Sequence, residues 1–307
     1  ISLWLTSSAS LGASLRVEMK NCEVRMTLPQ TKSRYSTGSV QGERGWNRVF
    51  GNWKKQRKAK PEVSVEVSEK DGIRSLHLGS ETVQSSMKLS DPAELVLSYT
   101  RAMMAFLLFA PEPRRILMIG LGGGSLAKFV YHRMPAVELV AVECEPAVIF
   151  AARQYFHVPE NDERFRAELG EGSAWVAQNP RSCDVMLVDG YDGHEQVQAL
   201  ATESFYADAR EALTDEGVLV TNLWTSDNRF DSYLQRMERI FSAVVCVPAE
   251  RRGNVIVLAF ARSPGRPRWD ELRQRARRLQ TLYGLEFLGF VEGLRELNAH
   301  AEGRLQA

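Results

Sequence analysis

The stretch from Ile116 to Phe129, ILMIGLGGGSLAKF, places four glycines directly after a short apolar run. The apolar run predicts a buried strand, and the segment after the glycines predicts a helix. Glycines at such a junction let the backbone approach a ligand closely, and the first turn of the helix offers free N–H groups. The GxGxG spacing of Gly120, Gly122 and Gly124 is typical of folds that bind S-adenosylmethionine. A tight turn without a ligand is the alternative interpretation.

Strands and helices alternate around this turn. Short apolar runs predict strands at 115–120, 137–142, 164–168, 183–188 and 217–223. Helices are predicted at 124–133, 146–155, 171–178, 203–213 and 229–241. Alternation of this kind predicts parallel βαβ units and an α/β fold with a doubly wound, mainly parallel sheet.

The last two strands are connected differently. VVCVP (Val244 to Pro248) and NVIVLAFA (Asn254 to Ala261) are separated only by the five residues AERRG. Because this gap is too short for a crossover helix, the pair is predicted to be antiparallel. A parallel sheet that ends in such a hairpin indicates the class I methyltransferase type of Rossmann-like fold.

The charge of the chain is uneven, although its net charge is only +1. Residues 1–60 contain twelve Lys and Arg against three Asp and Glu, with little periodicity, and predict a basic, disordered tail. Contact with nucleic acid through Trp46 and Trp53 is the alternative, which we do not favour. The start at Ile1 also allows the first residues to precede a native initiator, for which Met26 is a candidate.

Three further parts follow the tail. Residues 61–90 alternate between apolar and polar residues and predict a small antiparallel β unit, with a turn at Asp71-Gly72. Residues 91–262 form the predicted nucleoside-binding domain, which opens with a helix over 93–109. Residues 263–307 are predicted to form C-terminal helices.

Composition predicts a cytoplasmic protein. Its four cysteines are scattered and form no CxxC pair, which indicates a reduced compartment. No apolar run approaches the roughly 20 residues of a membrane span, so no membrane partner is expected. The opening ISLWLTSSASLGASL lacks a preceding basic segment and is expected not to be a signal peptide.

Two glutamates follow predicted strands of the sheet. Glu143, in AVECEP, comes after the second strand behind the glycine turn, where an acid can accept both ribose hydroxyls of a nucleoside. A solvated glutamate at a strand end is the alternative. Glu171, in GEGSAW, follows the third strand, where it can reach the edge of an adenine or simply cap the next helix.

The sequence LVDGYDG follows the fourth strand and contains two acids. Asp189 ends the strand, and Asp192 lies three residues further on in a loop bounded by glycines. Ligands bind at the carboxyl ends of strands in parallel sheets. Two carboxylates at this place, with Tyr191 between them, suit a cationic substrate.

Six segments appear in the order found in one enzyme family. They are GIRSLHLGSETVQSS, RRILMIGLGGGSLAKF, AVECEPAVIFAARQYF, GEGSAW, CDVMLVDGYDG and TESFYADAREALTDEGVLVTNLW. Over about residues 62–261 the chain resembles the spermidine synthases, which are polyamine aminopropyltransferases. The resemblance implies a transferase that binds decarboxylated S-adenosylmethionine, a small-molecule amine acceptor, a homodimer and no metal.

The resemblance also implies roles for individual residues. Gln84 matches a glutamine that lines the active site, and Glu143 matches the acid that binds the ribose. Glu171 replaces an aspartate that contacts the adenine. Asp189 matches the catalytic acid of a D-x-x-D-P loop, and Asp192 matches its second acid.

The chain departs from the family pattern at three places. Gly123 stands where GGGDG would place an aspartate for the amine of the aminopropyl group, and Gly193 replaces a proline. Ser98-Tyr99 replaces a Tyr-His pair, and Tyr99 is kept as a candidate substrate contact. A methyltransferase that uses S-adenosylmethionine, or a non-catalytic nucleoside-binding protein, is therefore an alternative to aminopropyl transfer.

Overall fold

The computed structural model describes residues 16–20, 23–27, 64–80, 82–190, 197–249 and 253–307. A five-stranded antiparallel sheet comes first, in the order β1-β2-β3-β4-β5. Its strands are β1 (Arg16–Lys20), β2 (Glu23–Thr27), β3 (Val65–Lys70), β4 (Ile73–Leu78) and β5 (Val83–Lys88). Asp71 and Gly72 both have positive φ angles, 50° and 76°, as a tight hairpin turn between β3 and β4 requires.

The two strands β1 and β2 correct the prediction of a disordered tail over residues 1–60. Their sequences, RVEMK and EVRMT, alternate between apolar and polar residues, which is the pattern of a strand. Each stretch has only five residues, so the low periodicity of the whole region obscures it. The other residues of 1–60 lie outside the described residues, and the division of the chain into four parts remains a prediction.

The helix predicted over 93–109 is shorter and has two parts. The helix α1 (Ser98–Met103) is followed by a 3₁₀ helix over Met104–Leu108. The start at Ser98 has a local cause: Asp91 accepts hydrogen bonds from the backbone N–H groups of Ala93 and Glu94, which makes a turn there. Residues 102–108 are completely buried, so this segment is part of the core and holds Tyr99 against the large sheet.

Strands and helices then alternate as predicted. They are β6 (Arg115–Ile119), α2 (Ser125–Arg133), β7 (Glu138–Glu143), α3 (Pro146–Phe156), β8 (Phe165–Leu169), α4 (Gly172–Gln178), β9 (Cys183–Val188), α5 (Glu203–Ala212), β10 (Leu213–Trp224) and α6 (Phe230–Ile240). The chain ends with β11 (Ala243–Pro248), β12 (Asn254–Phe260), α7 (Trp269–Tyr283), α8 (Phe287–Leu297), β13 (His300–Ala301) and β14 (Arg304–Leu305). The short hairpin of β13 and β14 is a feature that the sequence reading missed.

The large sheet has seven strands in the order β11-β12-β10-β9-β6-β7-β8. The pairs from β10 to β8 are parallel, whereas β12 pairs with both β10 and β11 in antiparallel fashion. This arrangement confirms the doubly wound α/β sheet with a final antiparallel hairpin. The strand order reverses between β6 and β9, and ligands of such sheets bind outside the carboxyl ends of the strands at that point.

Both faces of the sheet are covered. Within β6, Ile116 and Met118 join one buried cluster, and Leu117 and Ile119 join the cluster on the other face. Burial of each such side chain stabilises the fold by about 1.5–3 kcal/mol. Within the described part of the chain, none of the helices combines the length and the apolar character needed to cross a bilayer.

A buried lysine gives the fold a testable pH dependence. The side chain of Lys128 is 1% exposed, and its Nζ donates to the backbone carbonyl of Phe156 at 2.8 Å. Burial lowers the pKa of Lys128 to about 7, and the positive charge of Arg74 adds to this effect. A lysine in the unfolded chain has a pKa of about 10.4, so above pH 7 the unfolded state binds more protons than the folded state.

We therefore expect the free energy of unfolding of the wild type to rise with pH above about 7. The gain relative to Lys128→Met should be up to about 1.4 kcal/mol per pH unit. Urea unfolding of both proteins at several pH values between about 6 and 9 measures this difference. A difference that does not change with pH would contradict a buried lysine that loses its proton in this range.

Candidate active site

The glycine turn leaves no space for side chains at two of its positions. A Cβ atom on Gly120, whose φ is 89°, would lie 2.6 Å from the backbone oxygen of Asp189. A Cβ on Gly124, whose φ is 67°, would lie 2.1 Å from Cγ2 of Val158. Glycine is therefore required at 120 for the turn to lie against the end of β9, and at 124 for it to lie against Val158.

The helix α2 begins beside this turn with its first amides available. Gly124 is its N-cap, and no side chain of the described residues caps the helix there. Gly122, with a φ of 53°, lies near the side chain of Ser85 in the small sheet. The turn, the helix start and the edge of the small sheet thus form a backbone surface that a nucleoside can approach.

Glu143 is held rigidly at the end of β7. Its Oε2 accepts a hydrogen bond from the backbone N–H of Leu121, and its Oε1 accepts one from that of Glu145, both at 2.9 Å. The residue is 8% exposed, so it is buried rather than solvated. Each carboxylate oxygen has further acceptor capacity, and two fixed oxygens fit the two hydroxyls of a ribose. That role remains a prediction.

Glu171 caps α4. Its Oε1 accepts from the backbone N–H of Ser173 at 3.2 Å, and its Oε2 accepts from the N–H of Ala174 and the hydroxyl of Ser173 at 2.8 and 2.7 Å. These contacts are those of the capping alternative. Contact with an adenine stays a prediction, which the remaining acceptor capacity of the exposed carboxylate permits.

Asp189 lies at the centre of a group of polar side chains from three elements. Its Oδ2 accepts a hydrogen bond from the Tyr99 hydroxyl at 3.0 Å, and its Oδ1 accepts one from Nδ2 of Asn222 at 3.2 Å. The Tyr99 hydroxyl also lies 3.4 Å from the backbone oxygen of Gln84. The fold thus brings Gln84, Tyr99 and Asp189, three of the predicted site residues, to one place.

The surroundings of Asp189 shift the pKa of its carboxyl group. Burial raises the pKa of Asp189, and the hydrogen bonds from Asn222 and Tyr99 oppose that rise. Burial and the negative charge of Asp189 hold the pKa of Tyr99 well above its ordinary value. Tyr99 therefore remains a hydrogen-bond donor, and Asp189 is a carboxylate with a raised affinity for a proton. Such a group can accept a proton from a bound ammonium ion.

A cavity of about 350 Å³ opens beside this carboxylate. The lining residues that matter for its chemistry are Gln84, Tyr99, Arg101, Asp189, Asn222, Trp224 and Asn254. Among the described lining residues, Asp189 is the single carboxylate. The volume is in the range of pockets that bind small molecules.

Two predicted site residues cannot be placed. Tyr191 and Asp192 belong to residues 191–196, which lie outside the described residues. Their roles toward an amine therefore remain predictions.

The position of Gly123 is closely packed. A Cβ there would lie 2.8 Å from Oγ of Ser85 and 2.9 Å from Cδ1 of Phe156. An aspartate would fit only if these neighbours moved. The Ser85 hydroxyl instead forms a hydrogen bond of 3.0 Å with the hydroxyl of Ser125. Where the resemblance implies a carboxylate, this chain has a pair of buried hydroxyl groups.

Two asparagines of the site, Asn222 and Asn254, were not predicted from the sequence. Asn222 is 3% exposed on β10, and its Oδ1 accepts a hydrogen bond from Nδ2 of Asn254 on β12 at 2.7 Å. A signal was present, because the polar pair Thr221-Asn222 interrupts the apolar run of the strand VLVTNLW. A buried polar side chain near the carboxyl end of a central strand is a candidate for a site.

Comparison with known proteins identifies the family. A family model described as "Spermine/spermidine synthase domain" matches residues 96–263. The polyamine aminopropyltransferase of Chromobacterium violaceum is 46% identical over 255 residues, which cover 81% of this chain and 98% of that protein.

Solved structures have the same fold. A probable spermidine synthase from Corynebacterium glutamicum superposes with a TM-score of 0.61 at 19% identity, covering 80% of this chain and 96% of that one. A spermidine synthase in complex with the transition state analogue AdoDATO gives a TM-score of 0.60 at 18% identity, covering 76% and 82%. With a matching family model over more than half of its length and a relative of this similarity, the chain belongs to the spermine/spermidine synthase family.

Proposed function

We propose that this protein is a polyamine aminopropyltransferase that transfers the aminopropyl group of decarboxylated S-adenosylmethionine to a small-molecule amine. The relative from Chromobacterium violaceum bears the name of this activity. The observation that carries the proposal is the position of Asp189. Its backbone oxygen lies against Gly120 of the turn, and its carboxylate, with both oxygens held by donors, lines the cavity.

The reaction needs a free amine beside a sulfonium. An alkylammonium ion with a pKa of about 10 is only ~0.1% neutral at pH 7, so presenting the free amine costs roughly 4 kcal/mol. Asp189 binds the ammonium ion and accepts its proton, directly or through water. The nitrogen lone pair then attacks the methylene carbon next to the sulfur. The carbon–sulfur bond breaks, its electron pair stays on sulfur, and methylthioadenosine leaves.

The nucleoside that donates the aminopropyl group is assigned to the side of the glycine turn where Glu143 and Glu171 lie. Glu143 accepts hydrogen bonds from the ribose hydroxyls, and Glu171 is near the adenine edge. The glycines let the nucleoside approach the backbone of the turn closely. The sulfonium supplies its own driving force, so the chain's residues act by position and by proton transfer.

The acceptor is assigned to the cavity. Asp189 supplies the negative charge, and Tyr99 and Gln84 line the same cavity. Asp192 and Tyr191 are proposed to hold the amine in line with the breaking bond.

One observation favours methyl transfer as a second candidate. Position 123 is a glycine packed against Ser85 and Phe156, so it offers no carboxylate to the amine of the aminopropyl group. S-adenosylmethionine carries a carboxylate of its own near that position, and a site without an acid would repel it less.

The affinity for the two sulfonium nucleosides separates these candidates. We expect decarboxylated S-adenosylmethionine to raise the melting temperature of the protein more than S-adenosylmethionine does at the same concentration. The variant Asp192→Asn should leave this shift unchanged, because the acceptor side does not hold the donor. Stabilisation by S-adenosylmethionine alone would favour the methyltransferase.

Two further features of the protein are proposed from its family. We expect a homodimer, which size-exclusion chromatography with light scattering can measure. We also expect a cytoplasmic location, in agreement with the scattered cysteines of the sequence.

A further inference from the structure

We infer that Asn254 is a positioning residue for Asp189 and acts through the side-chain amide of Asn222. The inference rests on the proposed role of Asp189 as the base, and it goes beyond that role. It assigns a function to a residue of the final antiparallel hairpin, far from the glycine turn in sequence.

Two hydrogen bonds lead from Asn254 through Asn222 to Asp189, and in each the side-chain amide nitrogen is the donor. Nδ2 of Asn254 donates to Oδ1 of Asn222 at 2.7 Å, and Nδ2 of Asn222 donates to Oδ1 of Asp189 at 3.2 Å. The Tyr99 hydroxyl donates to the other carboxylate oxygen at 3.0 Å. Both oxygens of Asp189 therefore accept hydrogen bonds, which is what an ionised carboxylate can do and a protonated carboxyl group cannot do fully.

The register of the sheet creates this chain. Asn254 pairs with Trp224 on β10, and Asn222 pairs with Ile256 on β12. Asn222 and Asn254 are thus diagonal neighbours on one face of the antiparallel pair, a distance that asparagine side chains can span. Asn222 belongs to β10, which runs beside β9, and Asp189 directly follows β9.

The hydrogen bond that Asn254 donates fixes the orientation of the Asn222 side-chain amide. An amide can turn by 180° and exchange its oxygen with its nitrogen at little steric cost. If it turned, the oxygen of Asn222 would face the Asp189 carboxylate, and two acceptors would repel each other. The hydrogen bond from Asn254 stabilises the orientation in which the nitrogen faces Asp189.

Among the described residues, few other groups could donate a hydrogen bond to Oδ1 of Asp189 in place of Asn222. Among the described residues that line the cavity, Tyr99 and Arg101 are the other titratable groups. The Arg101 guanidinium donates to Glu286 and to the backbone oxygens of Leu95 and Val96. Tyr99 already serves Oδ2, so Asn222 is the described donor to Oδ1.

The test is the pH profile of turnover in Asn254→Ala. We expect kcat to fall about five-fold, the usual effect of one lost hydrogen bond. The acidic limb of the kcat profile should move up by about 0.5–1 pH unit, because an ionised Asp189 loses its ordered donor. The KM for the donor nucleoside should stay within about two-fold of the wild type, since Glu143 and the glycine turn are intact.

Two variants control for loss of structure. Thr225→Ala removes a hydrogen bond from the Thr225 hydroxyl to the backbone oxygen of Gly253, at the same end of β10 and β12 but without contact to Asp189. It should leave the pH profile unchanged. Asn254→Gln keeps an amide donor and should recover part of the lost turnover.

The outcomes separate this inference from the proposed function. If Asp189→Asn loses turnover but Asn254→Ala keeps both kcat and the acidic limb of the wild type, Asn254 has no positioning role and the inference is wrong. If Thr225→Ala moves the acidic limb as far as Asn254→Ala does, the inference is also wrong. If Asp189→Asn itself keeps full turnover, the base assignment in the proposed function fails and the inference fails with it.

Discussion

Replacement of Asp189 by asparagine is expected to lower aminopropyl transfer by about 10²-fold or more, as loss of a positioned base typically does. Asparagine cannot accept the proton of a bound ammonium ion, and it carries no charge to attract one. The affinity for methylthioadenosine should barely change, because Glu143 and the glycine turn stay intact. Steady-state kinetics and calorimetry on the same protein preparation measure both quantities.

The variant should fold. Burial raises the pKa of Asp189 above its unfolded value, so ionisation of this group at neutral pH lowers the stability of the folded state. Removal of the charge should therefore leave the melting temperature equal or higher at neutral pH. Asp184→Asn is the matched control, because Asp184 lies at the opposite end of β9 and accepts from the backbone N–H groups of Arg114 and Arg115.

The Asp184→Asn control should lose stability and keep its turnover. If Asp189→Asn keeps its turnover but no longer binds nucleoside, the role of this acid is to bind the sulfonium nucleoside. The methyltransferase alternative would then be favoured.

Replacement of Glu143 by glutamine is expected to weaken nucleoside binding by about 1.5–3 kcal/mol, which is roughly 10- to 150-fold. A glutamine has one acceptor oxygen, whereas Glu143 uses both oxygens for the N–H groups of Leu121 and Glu145. One of these N–H groups would face the amide nitrogen, and the ribose would lose a charged acceptor. Calorimetry with methylthioadenosine measures the change.

A control for Glu143→Gln is available on the same strand. Glu138 is exposed at the start of β7, so Glu138→Gln should bind nucleoside like the wild type. Equal affinity of Glu143→Gln and the wild type would show that the buried carboxylate only supports the turn.

The sheet could be predicted because its signals are local. The apolar runs of β6 to β10 are bounded by glycines and helical segments, and the short gap before Asn254 permits only a hairpin. The start of α1 could not be predicted, since it depends on the hydrogen bonds that Asp91 makes with Ala93 and Glu94. The strands β1 and β2 were missed because each has only five residues within a basic region.

The site was predictable where its residues follow strands. Glu143 and Asp189 could be named from their positions alone, and family resemblance added Gln84 and Tyr99. The pairing of Tyr99 with Asp189 spans 90 residues and depends on how α1 packs against the sheet. The pairing of Asn222 with Asn254 depends on strand register, which no local pattern contains.

Product identification tests the central claim most directly. The purified protein is incubated with decarboxylated S-adenosylmethionine and a set of diamines, and in parallel with S-adenosylmethionine and the same amines. Mass spectrometry should find methylthioadenosine and an amine that is heavier by one aminopropyl group, and Asp189→Asn should abolish both signals. S-adenosylhomocysteine with a methylated amine, or no product with any amine, would contradict the assignment of this protein as an aminopropyltransferase.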